Sequence, residues 1–265
     1  MTLDVNYVWR QLLSDLLLVG NHVSPRGIST VELVSHRTIV PMSQPLLTVH
    51  ERNLSTQFAC AEAAWILSGD NRLKTLLPFA PSYAKFSDDG LTLAGAYGPP
   101  LLDQLPFVLK TLIEDSSSRQ AVATIWRPRP GSSKDVPCTV AVQWIIRNDR
   151  LHCIDSMRSS DAWLGWPYDI FSFSMISAFL ALRLRMRGLK VDLGNVYLTA
   201  GSQHLYEKNY ETARACTRSD EVLDRTYAPL ELDQFNSSDE DFVEDLWRIA
   251  RKQLARSDWL RELHS

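Results

Sequence analysis

Cysteine is scarce in this sequence: Cys60, Cys138, Cys153 and Cys216 are the only four in 265 residues. None falls in a CxxC or Cys/His spacing, which excludes a disulfide framework and a thiolate metal site and points to a reduced, cytoplasmic setting. Positive charge is also short. With 28 Lys and Arg against 31 Asp and Glu, a net charge of −3 and a pI near 6.1, no overall basic field exists to hold a nucleic-acid backbone or an anionic membrane. Any phosphate bound is then expected to be small and gripped by a few arginines. Long apolar runs are missing too. The strongest, 170–182, lies between Asp169 and Arg183 and falls short of the roughly 20 residues that span a bilayer, so it reads as a buried helix. The N-terminus carries Asp4 and no basic-then-apolar run, so secretion is not expected. With 45% hydrophobic and 22% charged residues and no evident repeat, residues 1–265 read as one globular domain.

Val5, Val8, Trp9, Leu12, Leu13 and Leu16 recur at helical spacing and predict a first helix ending near Gly20. Arg26 follows on a Pro/Gly-flanked loop, either a phosphate ligand or a solvated charge. Residues 29–49 read as strand and 54–67 as helix. Glu62 sits among Phe58, Ala59, Ala63, Trp65 and Ile66 on that helix; a carboxylate there is either paired structurally or held for chemistry, because burying it otherwise is costly. Tyr83, Phe86 and Tyr97 lie in a Gly/Asp/Pro-rich segment that reads as a long loop able to edge a pocket, or as aromatics packed on the core. A helix over 99–112 and a strand over 121–126 follow, then a Pro/Gly/Ser loop from Arg127. Strands over 140–146 and 151–157 flank Asn148-Asp149-Arg150 as a hairpin. Pro167 opens a helix reaching about residue 187, with Asp169 in its first turn, where a carboxylate suits the helix dipole. After a strand over 190–199, His204 and Tyr206 stand two apart in extended chain and point the same way, as a ligand-binding or a core pair. Ser238 with Asp241 opens a final helix carrying Phe242, Leu246, Ile249, Ala250 and Leu254 on one face, with Arg248, Arg251, Lys252 and Arg256 solvated.

The stretch 137–169 concentrates chemistry. Cys138 follows Pro137, with Gln143 five residues on; then come Arg158-Ser159-Ser160-Asp161, Leu164-Gly165-Trp166-Pro167-Tyr168-Asp169 and Gly201-Ser202-Gln203-His204-Leu205-Tyr206. In this order and spacing, over about residues 26–209, the chain resembles the thymidylate synthase family, which also contains the pyrimidine nucleotide hydroxymethylases. The resemblance implies an α+β fold with a large mixed sheet packed with helices, two copies pairing sheet to sheet. It implies a nucleotide and 5,10-methylenetetrahydrofolate as substrates, with no metal. Cys138 would attack carbon 6 of the pyrimidine, its thiol ionised more readily beside Arg158. Arg26, Arg158 and Ser159 would hold phosphate, with Arg119 donated across the dimer interface, and Gln143 would contact the nucleotide. His204 and Tyr206 would hold the sugar 3′-hydroxyl. Asp161, Tyr83 and Phe86 would address the folate; Glu62 would organise water and proton transfers, and Tyr97 would assist at carbon 5. Gln120 replaces the second arginine of the family's pair, with Arg127 or Arg129 as substitutes, and Thr139 replaces a frequent histidine.

Asp169 is the informative departure, because relatives acting on uracil carry asparagine there. Uracil offers a donor at N3 and an acceptor at O4, which an asparagine amide matches, and cytosine reverses both. A protonated carboxylic acid, or a carboxylate facing a protonated ring, fits cytosine instead. The expected substrate is therefore a cytosine nucleotide, with dCMP preferred over CMP because Ser159 matches the deoxynucleotide-using members. The expected reaction is hydroxymethylation, in which water captures the exocyclic methylene.

Overall fold

The computed structural model describes residues 4–127, 132–218, 224, 227–235, 239–255 and 258–262. Helix α1 (Val5–Val19) is capped by Asp4, whose side chain accepts from the Tyr7 N–H, and buries Val5, Trp9, Leu12, Leu13 and Leu16. These are the positions its periodicity marks. A short strand β1 (Asn21–Val23) and a longer β2 (Thr30–Pro41) follow. Helix α2 (Thr56–Leu67) buries nearly all its length, with the Ser55 hydroxyl accepting from the Phe58 N–H at its start. The segment expected to be a plain loop holds a one-turn helix α3 (Leu73–Leu76) and a 3-10 turn (Pro81–Lys85) before α4 (Gly98–Glu114).

Strands β3 (Val122–Thr124), β4 (Thr139–Arg147) and β5 (Arg150–Asp161) come next. Arg147 pairs with Arg150 across a two-residue turn in which Asn148 (φ 51°) and Asp149 (φ 57°) are both left-handed, the backbone that matches strand twist and favours Asn and Asp. Helix α5 (Trp166–Met186) leads into β6 (Asp192–Tyr206). This last strand runs well past the expected end, so Gly201–Tyr206 is strand. The order is β1-β2-β6-β5-β4-β3, a six-stranded mixed sheet in which only β5 and β6 are parallel. Helix α6 (Tyr210–Arg218), α7 (Asp239–Ala250) and α8 (Asp258–Glu262) complete the described chain. Leu254 does not join the apolar face of α7: it lies beyond that helix and is 66% exposed. Ser238 and Arg256 lie outside the described residues.

Helix α5 is apolar all round because sheet and helices enclose it, and no described helix is long and apolar enough to cross a membrane. Three buried indoles fix the frame of the site. Trp144 Nε1 donates to the Ser177 hydroxyl (3.0 Å), joining β4 to α5; Trp166 Nε1 donates to Thr38 Oγ1 (2.9 Å), joining α5 to β2; Trp9 Nε1 donates to the Ala162 carbonyl (2.7 Å), joining α1 to the turn after β5. Replacing Ser177 with alanine strands one buried indole donor and is expected to cost about 1–3 kcal/mol, measurable by urea unfolding.

Candidate active site

Cys138 stands immediately before β4, half-buried, and antiparallel pairing brings β5 beside it. The Arg158 N–H donates to the Cys138 carbonyl (2.8 Å). The Arg158 guanidinium donates to the carbonyls of Pro137 (3.0 Å) and Val136 (2.9 Å), and its Nη2 lies 3.7 Å from the Cys138 sulfur. One side chain thus fastens the chain before the cysteine and puts positive charge at the thiol. Arg158 favours the thiolate as expected, but it does not set the net direction. Burial pushes the Cys138 thiol up to about 11; Arg158 opposes this, while Asp169, Asp135 and Asp155 add to it. Burial and three acids outweigh one cation.

Asp169 caps nothing: the N-cap of α5 is Gly165, without a side-chain cap bond. Its carboxyl is held well above the usual range by burial first, then by the charges of Glu62, Asp155 and Asp161. Glu62, on α2, accepts from the Tyr83 hydroxyl (2.7 Å). Burial raises the Glu62 carboxyl to about 7 and Tyr83 moderates the rise. Removing the hydroxyl in Tyr83→Phe takes a stabilising donor from the ionised form. The pH-rate limb belonging to Glu62 is therefore expected to move up by about one pH unit, the worth of one hydrogen bond to a charged group; an unmoved limb would contradict the pairing. Tyr83 also packs edge-on against Phe86 (5.9 Å) and Phe58 (5.7 Å), and Phe58 against Tyr168 (4.7 Å). Phe86 is 37% exposed, leaving an open aromatic wall beside Glu62. The Tyr97 hydroxyl accepts from the Thr139 N–H (3.3 Å), next to the cysteine.

On the parallel β5–β6 pair, the Ser159 hydroxyl and His204 Nδ1 are hydrogen-bonded at 3.3 Å and the His204 and Tyr206 rings meet edge-on at 5.1 Å. The structure brings these three together. Asp161 Oδ1 accepts from the N–H groups of Trp163 (2.8 Å) and Leu164 (3.1 Å), so one of its oxygens is occupied in the turn into α5. The Gln143 amide donates to the Arg119 carbonyl (2.7 Å); this contact joins the two to each other and not to Cys138. Arg119 and Gln120 are exposed, as are Arg26, on its turn with φ 54°, and Arg127. No described contact brings Arg26, Arg119 or Arg127 to Arg158, and Arg129 lies outside the described residues. Among the described residues no three His, Cys, Asp or Glu side chains gather as metal ligands would.

The sequence reading passed over Asp155, Thr139 as a side chain of the site's wall, and Tyr168 as part of its aromatic edge. A signal for Asp155 existed: Leu151, Cys153, Asp155 and Met157 alternate along one strand face, and an acid in that series is out of character.

A mixed sheet with a proline-preceded cysteine just ahead of one strand, an arginine from the neighbouring strand on its sulfur, and half-buried carboxyls on two helices defines a family. The thymidylate synthase family model matches residues 7–245, and the chain belongs to that family. It is also 28% identical over 226 residues to the deoxyuridylate hydroxymethyltransferase of Bacillus phage SP01, an alignment covering 77% of this chain and 57% of that protein. The chain thus spans little more than half the length of the curated relative it matches.

Proposed function

We propose that the protein transfers a one-carbon unit to carbon 5 of a cytosine nucleotide, dCMP in preference to CMP, leaving a hydroxymethyl group. The observation that carries this reading is Asp169, a carboxyl held well above the usual carboxylate range by burial and by neighbouring acids, at the place where uracil-using relatives carry asparagine. A neutral acid donates to cytosine N3 and accepts from the 4-amino group, leaving neither ring group unpaired. Cys138 adds to carbon 6 and makes carbon 5 nucleophilic; Arg158 stabilises the sulfur as it gives up its proton. Ser159, His204 and Tyr206 hold the sugar and phosphate end, with Arg26 closing on the phosphate. Tyr97 faces carbon 5, and Glu62 moves protons with a carboxyl poised near neutrality.

The one-carbon donor is 5,10-methylenetetrahydrofolate, which supplies a carbon at the formaldehyde oxidation level. The half-open wall of Tyr83 and Phe86 fits a flat pterin ring beside Glu62, and Asp161 offers one carboxyl oxygen beyond the one its turn uses. A second copy of the chain completes the site by packing sheet against sheet and contributing Arg119. In support, Val34, Ile39 and Val140 leave exposed apolar surface on the strands, at 69%, 39% and 37%. Sedimentation at micromolar concentration is expected to return twice the chain mass, and a single-chain mass would overturn the pairing.

The name of the phage relative favours a second reading, in which the base is uracil. Comparing dCMP and dUMP as substrates under identical conditions separates the two: dUMP turnover at or above that of dCMP would establish the second.

A further inference from the structure

On the side of the site assigned to the sugar, one charged side chain is not used by this chemistry. Glu32 of β2 is paired directly with His204 of β6 in the antiparallel register, which places both side chains on one face of the sheet. Its Oε2 accepts a hydrogen bond from the Ser202 hydroxyl, on the neighbouring strand and the same face. His204 is in turn bonded to Ser159 and meets the Tyr206 ring edge-on. Alternation fixes the faces: Glu32, Ser202, His204 and Tyr206 are half-buried, whereas Val31, Gln203 and Leu205 between them are buried on the other side. Glu32 therefore stands in the same row as the groups that meet the sugar. Among the described residues Ser202 is the one hydrogen-bond partner of its carboxyl, so Oε1 stays available.

A carboxylate beside an anionic ligand costs affinity unless it meets a hydrogen-bond donor. On the sugar of a 5′-mononucleotide the hydroxyl is that donor. We propose that Glu32 determines which sugar edge the site accepts: its available oxygen accepts a hydrogen bond from an unesterified 3′-hydroxyl, and its charge rejects a phosphate at that position. The substrate class is then the free 5′-mononucleotide. A nucleotide carrying a 3′-phosphate, or one inside a nucleic-acid strand, brings a second anion against Glu32 and offers it no donor. His204 cannot make this distinction, because an imidazole N–H donates to a hydroxyl and to a phosphate oxygen alike. Ser202 fixes the direction of the carboxylate, which a glutamate side chain left alone would spread over several rotamers.

The inference rests on the nucleotide reading of this site, but its test compares two phosphorylation states of one nucleoside and not two bases, so the two can fail separately. Dissociation constants are measured by titration calorimetry on the full chain for dCMP and deoxycytidine 3′,5′-bisphosphate, and again for dUMP and deoxyuridine 3′,5′-bisphosphate. The parent is expected to bind each bisphosphate about tenfold more weakly than its mononucleotide. Glu32→Gln keeps an acceptor for Ser202 and for the hydroxyl but removes the charge. It is expected to weaken the mononucleotides about two- to threefold and to tighten the bisphosphates about tenfold. A role confined to holding β2 against β6 would move both kinds of ligand the same way. Ser202→Ala, which releases the carboxylate, is expected to narrow the gap between the two kinds by less, and it decides the matter if Glu32→Gln does not fold. Bisphosphates that gain nothing would overturn the role of Glu32 and leave the mononucleotide reading standing. Tighter binding of the uracil pair would overturn the cytosine assignment and leave Glu32 in place, and a parent that binds neither mononucleotide would overturn both.

Discussion

Asp169→Asn is expected to move base preference from cytosine toward uracil by about two orders of magnitude in the ratio of kcat/KM values, the scale on which buried polar mismatches discriminate. Read from sequence, Asp169 can serve cytosine either as a neutral acid or as a carboxylate facing a protonated ring. Burial of this residue, with Glu62, Asp155 and Asp161 around it, favours the neutral acid, which needs no proton on the base. Asparagine in its place offers an oxygen to N3–H and an amide to O4, the complement of uracil. Against cytosine the same amide leaves a donor facing a donor. Steady-state kinetics of both proteins with dCMP and dUMP measure the ratio, and a ratio unchanged by the substitution would remove the basis for the cytosine reading.

Cys138→Ala is expected to lower tritium release from the 5-tritiated nucleotide by about 10⁴-fold or more, because no other group can add to carbon 6. Nucleotide binding should change little. Arg158 is anchored to the main-chain carbonyls of Pro137 and Val136 as well as reaching the sulfur, so two of its bonds remain to hold the guanidinium when the thiol is removed. Equilibrium dialysis of the variant against labelled nucleotide checks this. Substantial release from the alanine variant would show that the chemistry does not pass through Cys138.

Much of this site is local along the chain, and so was legible before folding. The Asn148-Asp149 turn folds β4 onto β5, which is why Cys138 and Arg158, twenty residues apart, become neighbours. Parity along an extended strand put His204 and Tyr206 on one side, although β6 proved longer than its apolar pattern indicates, because its last turn of sequence is Gly, Ser and Gln. What was not legible depends on elements distant in sequence. The Glu62–Tyr83 pair joins a helix to a 3-10 turn whose approach no periodicity announces. The Cys138 thiol is raised by burial and by acids arriving from α5, β5 and the preceding loop, so the adjacent arginine, which favours the thiolate as expected, does not set the net direction. Leu254 fits a helical stripe on paper, but the chain leaves the helix before reaching it.

A cytosine nucleotide is proposed to gain a hydroxymethyl group at this site. The most direct measurement incubates the protein with methylenetetrahydrofolate and, separately, 5-tritiated dCMP, CMP and dUMP, recording tritium release and the product mass. Release is expected to be fastest with dCMP, with a product heavier by one CH₂O unit and no dihydrofolate. Release confined to dUMP, or a methylated product accompanied by dihydrofolate, would contradict it.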